Sequence, residues 1–99
     1  MKDFILFMHA NAGVEAAPDK WPSYFAKLRS VGAFEGGSAI GGGETLRKDG
    51  TVAPTTDHLA GFILLQAESL TEAKALIAGN PVFESGGSVE VRELPRDGS

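Results

Sequence analysis

Two apolar runs dominate the hydrophobic pattern of the chain, Phe4 to Met8 and Phe62 to Leu65. Neither run alternates with polar residues, and unbroken runs of this length indicate strands that are buried on both faces of a sheet. Each run precedes a segment with the apolar spacing of a helix. Two helices can cover only one face of the sheet, so the pattern also indicates a partner subunit on the other face.

The first half of the chain predicts a strand, a helix and a second strand. The first strand runs from about Asp3 to His9 and ends at Asn11-Ala12-Gly13. The helix has Asp19 as its predicted N-cap and ends at Gly32. Its apolar stripe consists of Trp21, Tyr24, Phe25, Leu28 and Val31. The second strand is predicted from Ala33 to Ile40.

The segment after the second strand predicts a hairpin arm or a bent strand. Gly41-Gly42-Gly43 interrupts the strand pattern, and Lys48-Asp49-Gly50 is a turn signal because glycine readily adopts positive φ. Thr51 to Asp57 contains a proline and no apolar period, which is typical of a loop. A third strand follows from about Leu59 to Ala67.

A second helix and a last strand complete the pattern. Ser69 and Glu72 form a capping box, in which Ser69 accepts from the Glu72 N–H and Glu72 reaches back. Gly79-Asn80-Pro81 predicts the end of this helix. The last strand, Ser88 to Leu94, alternates apolar and polar residues, so one of its faces is expected to contact water.

The predicted order β-α-β-β-α-β places the chain in the α+β class. It describes a ferredoxin-like split βαβ unit, whose antiparallel sheet carries both helices on one face. Two such sheets packed face to face would form a dimeric α+β barrel, and a homodimer interface would add stability that a domain of 99 residues lacks alone. We expect a single domain over residues 1–95, followed by a frayed tail at residues 96–99.

Composition narrows the classes of function. Nine Lys and Arg residues are dispersed among thirteen carboxylates, so a nucleic-acid partner is not expected. The absence of cysteine excludes disulfides, thiolate nucleophiles and zinc sites built on sulfur. The first apolar run, about five residues long, is too short for a signal peptide or a membrane span. We therefore expect a cytoplasmic protein that has no membrane partner.

A series of short motifs recurs along the chain in a recognisable order and spacing. They are Trp21 through Leu28 to Gly32, Leu46-Arg47, Asp49-Gly50, Gly61-Phe62, Thr71-Glu72-Ala73, Asn80-Pro81 and Val89-Glu90-Val91-Arg92. Together they resemble the YCII-related family, and within it the DGPF-type branch. The resemblance covers about Asp3 to Leu94 and implies a dimeric α+β barrel, a fold whose members in this family mostly have no established reaction.

The chain departs from the family pattern at two places. Much of the family starts the first helix with a histidine that is suspected of acid–base work alongside an aspartate, whereas the matching position here is Trp21, as is usual in the DGPF branch. The signature of that branch, Asp-Gly-Pro-Phe followed by a Lys-Glu pair, should fall between Gly50 and Gly61, where this chain has a shorter loop without it. Asp57 is the residue of this loop that could stand in for one of the family's acidic residues.

His9, Asp57 and His58 are the candidate catalytic residues. His9 stands where the first strand leaves the sheet, and an imidazole suits proton transfer near neutrality; the alternative is a strand-end histidine bonded to a loop carbonyl. Adjacent residues of an extended segment point to opposite faces, so Asp57 and His58 do not pair with each other. His58 can instead meet His9 if the first and third strands are neighbours; otherwise Asp57 and His58 are solvated loop residues. No HxH or HxxxH spacing supports a metal site.

Trp21, Tyr24 and Arg47 are the candidate ligand-binding residues. The two aromatic side chains can line a pocket with their polar edges, and ordinary core packing is the alternative. Arg47 can pair with the carboxylate of an anionic ligand, or with a cross-strand carboxylate such as Glu44.

The sequence therefore predicts a cleft between the first helix and the sheet that binds a small anionic or aromatic metabolite without a cofactor. If the protein is an enzyme, we expect cofactor-free proton transfer of the isomerase or lyase type, with His9 as the base. A non-catalytic homodimeric binding or interaction module is the competing expectation, and an oxygen-using monooxygenase-like barrel rests on fold analogy alone. A pocket that contains His9 and a second polar group favours catalysis, whereas an apolar, filled interior favours the module.

Overall fold

The computed structural model describes residues 1–10 and 18–96. In chain order the elements are β1 (Lys2–His9), α1 (Trp21–Ser30), β2 (Phe34–Ala39), β3 (Leu59–Ala67), α2 (Leu70–Ala75), α3 (Pro81–Glu84) and β4 (Val89–Leu94), and a 3₁₀ turn (Pro18–Lys20) leads into α1. The predicted α+β class with a ferredoxin-like arrangement is confirmed. The short helix α3 is an addition to the predicted order.

The four strands form one sheet in the order β2-β3-β1-β4, and all neighbouring strands are antiparallel. β1 and β3 lie at the centre and pair from Lys2 opposite Ala67 to Met8 opposite Gly61, with a shift of register between Met8 and His9. These are the two strands with unbroken apolar runs. Their central position explains why neither strand shows polar alternation.

Alternate residues of each strand point to opposite faces of the sheet. One face packs on the helices and forms the core, which consists of Phe4, Leu6, Met8, Tyr24, Leu28, Ile63, Leu65, Ala67, Ala73 and Ile77. The opposite face, called the helix-free face below, carries Ile5, Phe7, His9, Phe62, Leu64, Gln66, Glu90 and Arg92. No helix of the described residues packs against it, and its apolar side chains are only half-buried.

The predicted N-cap of α1 is wrong, but the predicted C-terminal end is confirmed. Lys20 is the N-cap and makes no side-chain capping bond, because the 3₁₀ turn that contains Asp19 continues directly into the helix. At the other end Gly32 has φ +71, and the Ala33 N–H donates to the Leu28 carbonyl at 3.0 Å, which is a Schellman ending. Val31 follows the last helical residue and is 60% exposed, so the predicted apolar stripe stops at Leu28.

The predicted capping box at α2 is present. Ser69 Oγ accepts from the Glu72 N–H at 3.2 Å, and Glu72 Oε2 accepts from the N–H of Glu68 at 3.3 Å, one residue earlier than in the standard box. Gly79 has φ +91 and ends the helical segment, as predicted.

Asn80 begins a further helix rather than only terminating α2. Its side chain is fully buried, and Oδ1 accepts from the N–H groups of Val82 at 2.9 Å and Phe83 at 3.2 Å. Pro81 follows at the first helical position, where its missing N–H costs nothing. The Asn-Pro pair is therefore both a stop signal and a start signal.

Residues 40–58, called the arm below, connect β2 to β3. The predicted turn is present, with Gly50 at φ +80 and Asp49 Oδ1 accepting from the Thr51 N–H at 2.9 Å. Regular pairing within the arm is limited to one antiparallel bridge between Thr45 and Ala53. The arm is therefore a loosely paired extension of the β2–β3 hairpin.

The end of the described chain is tied to β1. Arg96 Nε donates to Asp3 Oδ2 at 2.8 Å, and Arg96 Nη2 donates to Oδ1 at 3.2 Å. The predicted end of β1 at residues 11–13 and the rest of the predicted tail, residues 97–99, lie outside the described residues. Within the described ranges, every helix is too short or too polar to cross a membrane.

Candidate functional site

His9 lies at the end of β1 on the helix-free face. Its Nε2 is 3.0 Å from Oε1 of Glu90 on the neighbouring strand β4, and the His9 side chain is 22% exposed. The His9 N–H donates to the carbonyl of Ser88 at 3.0 Å, which fixes the backbone beside the start of β4. The imidazole is therefore partly shielded and held by a carboxylate.

His58 lies beside His9. These two histidines and Glu90 are called the His9 cluster below. The His58 ring meets the His9 ring edge to face, with centroids 4.9 Å apart and an interplanar angle of 73°. The Ala10 N–H donates to the His58 carbonyl, which joins the end of β1 to the turn before β3. The prediction that the two histidines meet is confirmed, because β1 and β3 are neighbouring strands. His58 itself is exposed.

Glu90 links His9 to a cation. Its Oε2 accepts from Arg92 Nη1 at 3.1 Å, while Oε1 contacts His9. The hydrogen bond from Arg92, followed by that from His9, lowers the pKa of Glu90 below its usual value. Glu90 is therefore a carboxylate at neutral pH, and a carboxylate hydrogen-bonded to an imidazole orients the ring.

Sequence reasoning did not identify Glu90 as the partner of His9. The available signal was the strand order, because the split βαβ arrangement puts β4 beside β1. The alternation of β4 then places Glu90 on the helix-free face. The register of β1 and β4 also had to be known, and the sequence does not provide it.

An aromatic surface adjoins the cluster. Phe7 lies directly opposite Phe62 on β3 and opposite Glu90 on β4, so the two phenyl groups and the carboxylate share the helix-free face. Both phenyl side chains are half-buried. A flat ligand that lay on them would be next to His9, and this arrangement brings together a base, its orienting carboxylate and an apolar floor.

A separate cavity of about 440 Å³ lies on the other face, between α1 and the β2–β3 half of the sheet. Trp21 and Phe25 stack on each other in its wall, with ring centroids 5.5 Å apart. The remaining lining residues are Met8, Gly37, Ser38, Ala39, Ala60, Gly61, Phe62, Ile63 and Val82. Its volume is in the range of small-molecule pockets, and no ionisable side chain of the described residues lines it.

Glycine keeps this corner of the sheet open. A Cβ at Gly37 would lie 2.6 Å from the Phe62 carbonyl oxygen, and a Cβ at Gly61 would lie 3.0 Å from the Ser38 carbonyl oxygen. Side chains at these two positions would collide with the neighbouring strand. The helix face of the sheet is therefore bare here, and the cavity occupies that space.

The structure separates His9 from Trp21. Met8 lines the cavity while His9 lies on the helix-free face, because neighbouring strand residues point to opposite sides. Tyr24 is 2% exposed and packs in the core, where its hydroxyl donates to the Leu76 carbonyl at 2.8 Å. Burial raises the pKa of Tyr24 to about 12, an increase that Asn80 partly offsets. The predicted pocket that combines His9 with Trp21 or Tyr24 does not form within this chain.

Asp57 and Arg47 lie on the arm, apart from the His9 cluster. Asp57 is exposed beside a surface groove that also includes Gly41-Gly42-Gly43, and Arg47 is exposed with Nη1 3.5 Å from Thr51 Oγ1. No hydrogen bond or ion pair found among residues 1–10 and 18–96 joins either of them to His9. The same part of the chain contains no group of three His, Cys, Asp or Glu side chains that could hold a metal ion. The functional roles of these residues stay predictions.

Comparison with known proteins relates the fold to one family. The structure is similar to that of 5-chloro-2-hydroxyhydroquinone dehydrochlorinase (TftG) from Burkholderia phenoliruptrix AC1100, in complex with 2,5-dihydroxybenzoquinone. The TM-score is 0.60 and the sequence identity 18%, over 94% of this chain and 93% of that chain, so the likeness concerns the fold. A search of curated proteins found no match. The YCII-related domain matches residues 7–96, and the protein therefore belongs to the YCII-related family.

Proposed function

We propose that this protein binds a small aromatic or anionic metabolite on the helix-free face and transfers protons on it without a cofactor, as an isomerase or lyase would. The observation that carries the proposal is the 3.0 Å contact between His9 Nε2 and the Glu90 carboxylate. A general base needs a second group that orients it and stabilises the charge it acquires, and Glu90 can do both. The similar dehydrochlorinase has a flat cyclic ligand, 2,5-dihydroxybenzoquinone, and, by its name, an elimination reaction, which supports this class of chemistry.

Each residue of the His9 cluster has its own role in the proposed reaction. The ligand lies on Phe7 and Phe62, and the imidazole of His9 removes a proton from it. Glu90 stabilises the resulting imidazolium, while the hydrogen bond from Arg92 keeps Glu90 ionised. His58 contacts the His9 ring and is the second proton carrier of the cluster.

Fewer observations support a role for the remaining candidate residues. Asp57 is retained as a candidate acid, although no described contact joins it to His9. Arg47 is a candidate ligand contact. Trp21 is a candidate contact only for a ligand in the cavity on the other side of the sheet, and Tyr24 supports the helix that carries Trp21.

The proposal includes a homodimer in which two helix-free faces pack together as a dimeric α+β barrel. Half-buried Ile5 and Leu64 give this face an apolar contact region beside Phe7 and Phe62, so the ligand on those two rings would lie enclosed between the two copies. A second copy on this face would exclude water from the His9 cluster, and charges interact more strongly where water is excluded. We also propose that the protein belongs to the DGPF branch, is cytoplasmic and forms a single domain over residues 1–95.

The second candidate is a non-catalytic homodimeric binding or interaction module, and the cavity against α1 is the observation that favours it. This cavity has aromatic walls and no ionisable lining group among the described residues. It suits a flat apolar ligand, but it offers no base. A module of this kind would bind its ligand next to Trp21 and leave His9 unaffected.

The two candidates can be distinguished because each site has its own reporter. Trp21 is the single tryptophan, so its fluorescence reports the cavity, and the imidazole NMR signals of the two histidines report the helix-free face. The ligands would be benzoate and 2,5-dihydroxybenzoquinone. We expect the His9 signals to shift on binding, and the ring C–H signals of the quinone to exchange with D2O faster than without the protein.

Variants on one strand provide the control. Glu90→Gln should slow the catalysed exchange at least about tenfold, since general base catalysis typically contributes a hundredfold or more. Glu93→Gln changes the same kind of side chain on the other face of β4 and should have no effect. Ligand responses confined to Trp21 would overturn the catalytic proposal in favour of the module, and no response at either site would exclude both.

A further inference from the structure

The arm exposes two large apolar side chains that nothing in the described chain covers. Leu46 is 84% exposed and Val52 is 94% exposed, more than any other large apolar residue described. Single exposed apolar residues are common, but two on one projecting segment form a patch that water solvates poorly. Leu46 and Val52 are called the apolar tip below.

The geometry of the arm puts both side chains beside one groove. Thr45 and Ala53 form an antiparallel bridge, and Leu46 and Val52 are the next residues toward the turn on the two sides of the arm. Consistent with this, both residues line the same shallow groove, of about 420 Å³, along the arm. The two side chains of the apolar tip therefore border the same groove.

The helix-free face alone is small for a stable dimer. Four strands about 4.8 Å apart, with six residues in β2 and β4, eight in β1 and nine in β3, at about 3.4 Å per residue, give a face of roughly 20 × 25 Å, or about 500 Å². A standard interface buries about 800 Å² on each partner. A second contact region is needed, and the arm continues β2 and β3, the two strands on one side of that same sheet.

We propose that the apolar tip docks on a second copy of the chain and forms the outer part of an interface whose centre is the helix-free face. This inference rests on the homodimer included in the proposed function. In a two-fold dimer each arm reaches across to the other subunit, so the contact is made twice. Four apolar side chains, two from each copy, are then removed from water.

The first test measures the dimer dissociation constant by analytical ultracentrifugation over a dilution series. The double variant Leu46→Ser and Val52→Ser should raise it at least about tenfold, because burial of even one Leu or Val side chain corresponds to at least that factor. Val31→Ser is the matched control, since Val31 is also an exposed apolar residue but lies at the end of α1. It should leave the dissociation constant unchanged.

The second test uses the absence of cysteine from the sequence. Val52→Cys introduces a single thiol on the apolar tip, and its reaction with a thiol reagent should be at least tenfold slower above the dissociation constant than well below it. Val31→Cys should react equally fast at both concentrations. This measurement follows the apolar tip itself and does not depend on how strongly it contributes to affinity.

The outcomes separate this inference from the dimer on which it rests. In one outcome the wild type forms a dimer that the double variant does not weaken, while a thiol at position 52 reacts at the same rate at all concentrations. This pair of results would refute the docking of the arm but not the dimer. A thiol protected even at high dilution would mean that the arm packs on its own chain, which also refutes it. A wild-type monomer at micromolar concentration would overturn the dimer and the arm contact together, without touching the exchange assay on His9.

Discussion

Replacing Tyr24 with phenylalanine should change the alkaline stability of the protein in a way that can be calculated from its surroundings. The side chain is 2% exposed, and its hydroxyl donates to the Leu76 carbonyl at 2.8 Å. Tyr24→Phe removes this donor and leaves the Leu76 carbonyl without that hydrogen bond. We expect a loss of about 1–2 kcal/mol in the free energy of unfolding at pH 8, the usual cost of leaving a buried acceptor unsatisfied.

The pH dependence provides the sharper signature. The pKa of Tyr24 rises from 10.0 to about 12 on folding, because burial disfavours the phenolate. The folded state therefore holds the proton more tightly, and this contribution is complete below pH 10. It is lost as the pH rises from about 10 to about 12. At about 1.4 kcal/mol for each pH unit, the wild type should lose about 2–3 kcal/mol over this interval.

Urea unfolding followed by Trp21 fluorescence, repeated between pH 8 and pH 12, measures both effects. Tyr24 is the single tyrosine, and the lysines that titrate in this range are the same in both proteins, so the difference between the two curves isolates Tyr24. The difference in the free energy of unfolding between wild type and Tyr24→Phe should become smaller and then change sign as the pH rises. A constant difference from pH 8 to pH 12 would show that Tyr24 ionises in the folded state as readily as in the unfolded one, and the reasoning would fail.

Two further perturbations follow from the backbone and the charges. Gly79→Ala should lower the free energy of unfolding by about 1 kcal/mol, because φ is +91 there and alanine disfavours that backbone conformation even though a Cβ would have room. Gly41→Ala, at an open position without positive φ, is the control and should not change the free energy of unfolding in the same urea assay. Equal unfolding midpoints for the two variants would refute the role of Gly79 as a helix cap. Hydrogen bonding to Arg96 lowers the pKa of Asp3, so its contribution is present above about pH 4 and is lost as the pH falls through the folded-state value. Asp3→Asn should therefore flatten the acid side of the stability profile, and an unchanged profile would show that the contact with Arg96 does not form in solution.

The strands could be predicted from the sequence because their signals are local. The bounds of β3, Leu59–Ala67, agree with the predicted ones, and the turn glycines Gly32 and Gly79 have the positive φ that their positions required. The start of α1 was mispredicted because Asp19 is a good capping residue in isolation, whereas the preceding 3₁₀ turn removes the need for a cap.

The candidate site could be predicted only in part. The meeting of His9 and His58 followed from strand order, which a split βαβ unit determines. The pairing of His9 with Glu90 requires the register between β1 and β4, and that register is set by contacts across more than 80 positions of the chain. The separation of His9 from Trp21 follows from alternation along β1, a local rule that the expectation of a single shared pocket overlooked.

That alternation has a consequence for how the protein can diversify. Met8 and His9 are neighbours in sequence, yet one borders the cavity and the other the imidazole–carboxylate cluster. A substitution at Met8 therefore reshapes the cavity and one at His9 changes the cluster, each with little steric effect across the sheet. A lineage, or a mutant library, could alter the size of the cavity without changing the imidazole–carboxylate pair, or lose that pair while keeping the cavity. Two adjacent codons are enough to select for these properties independently.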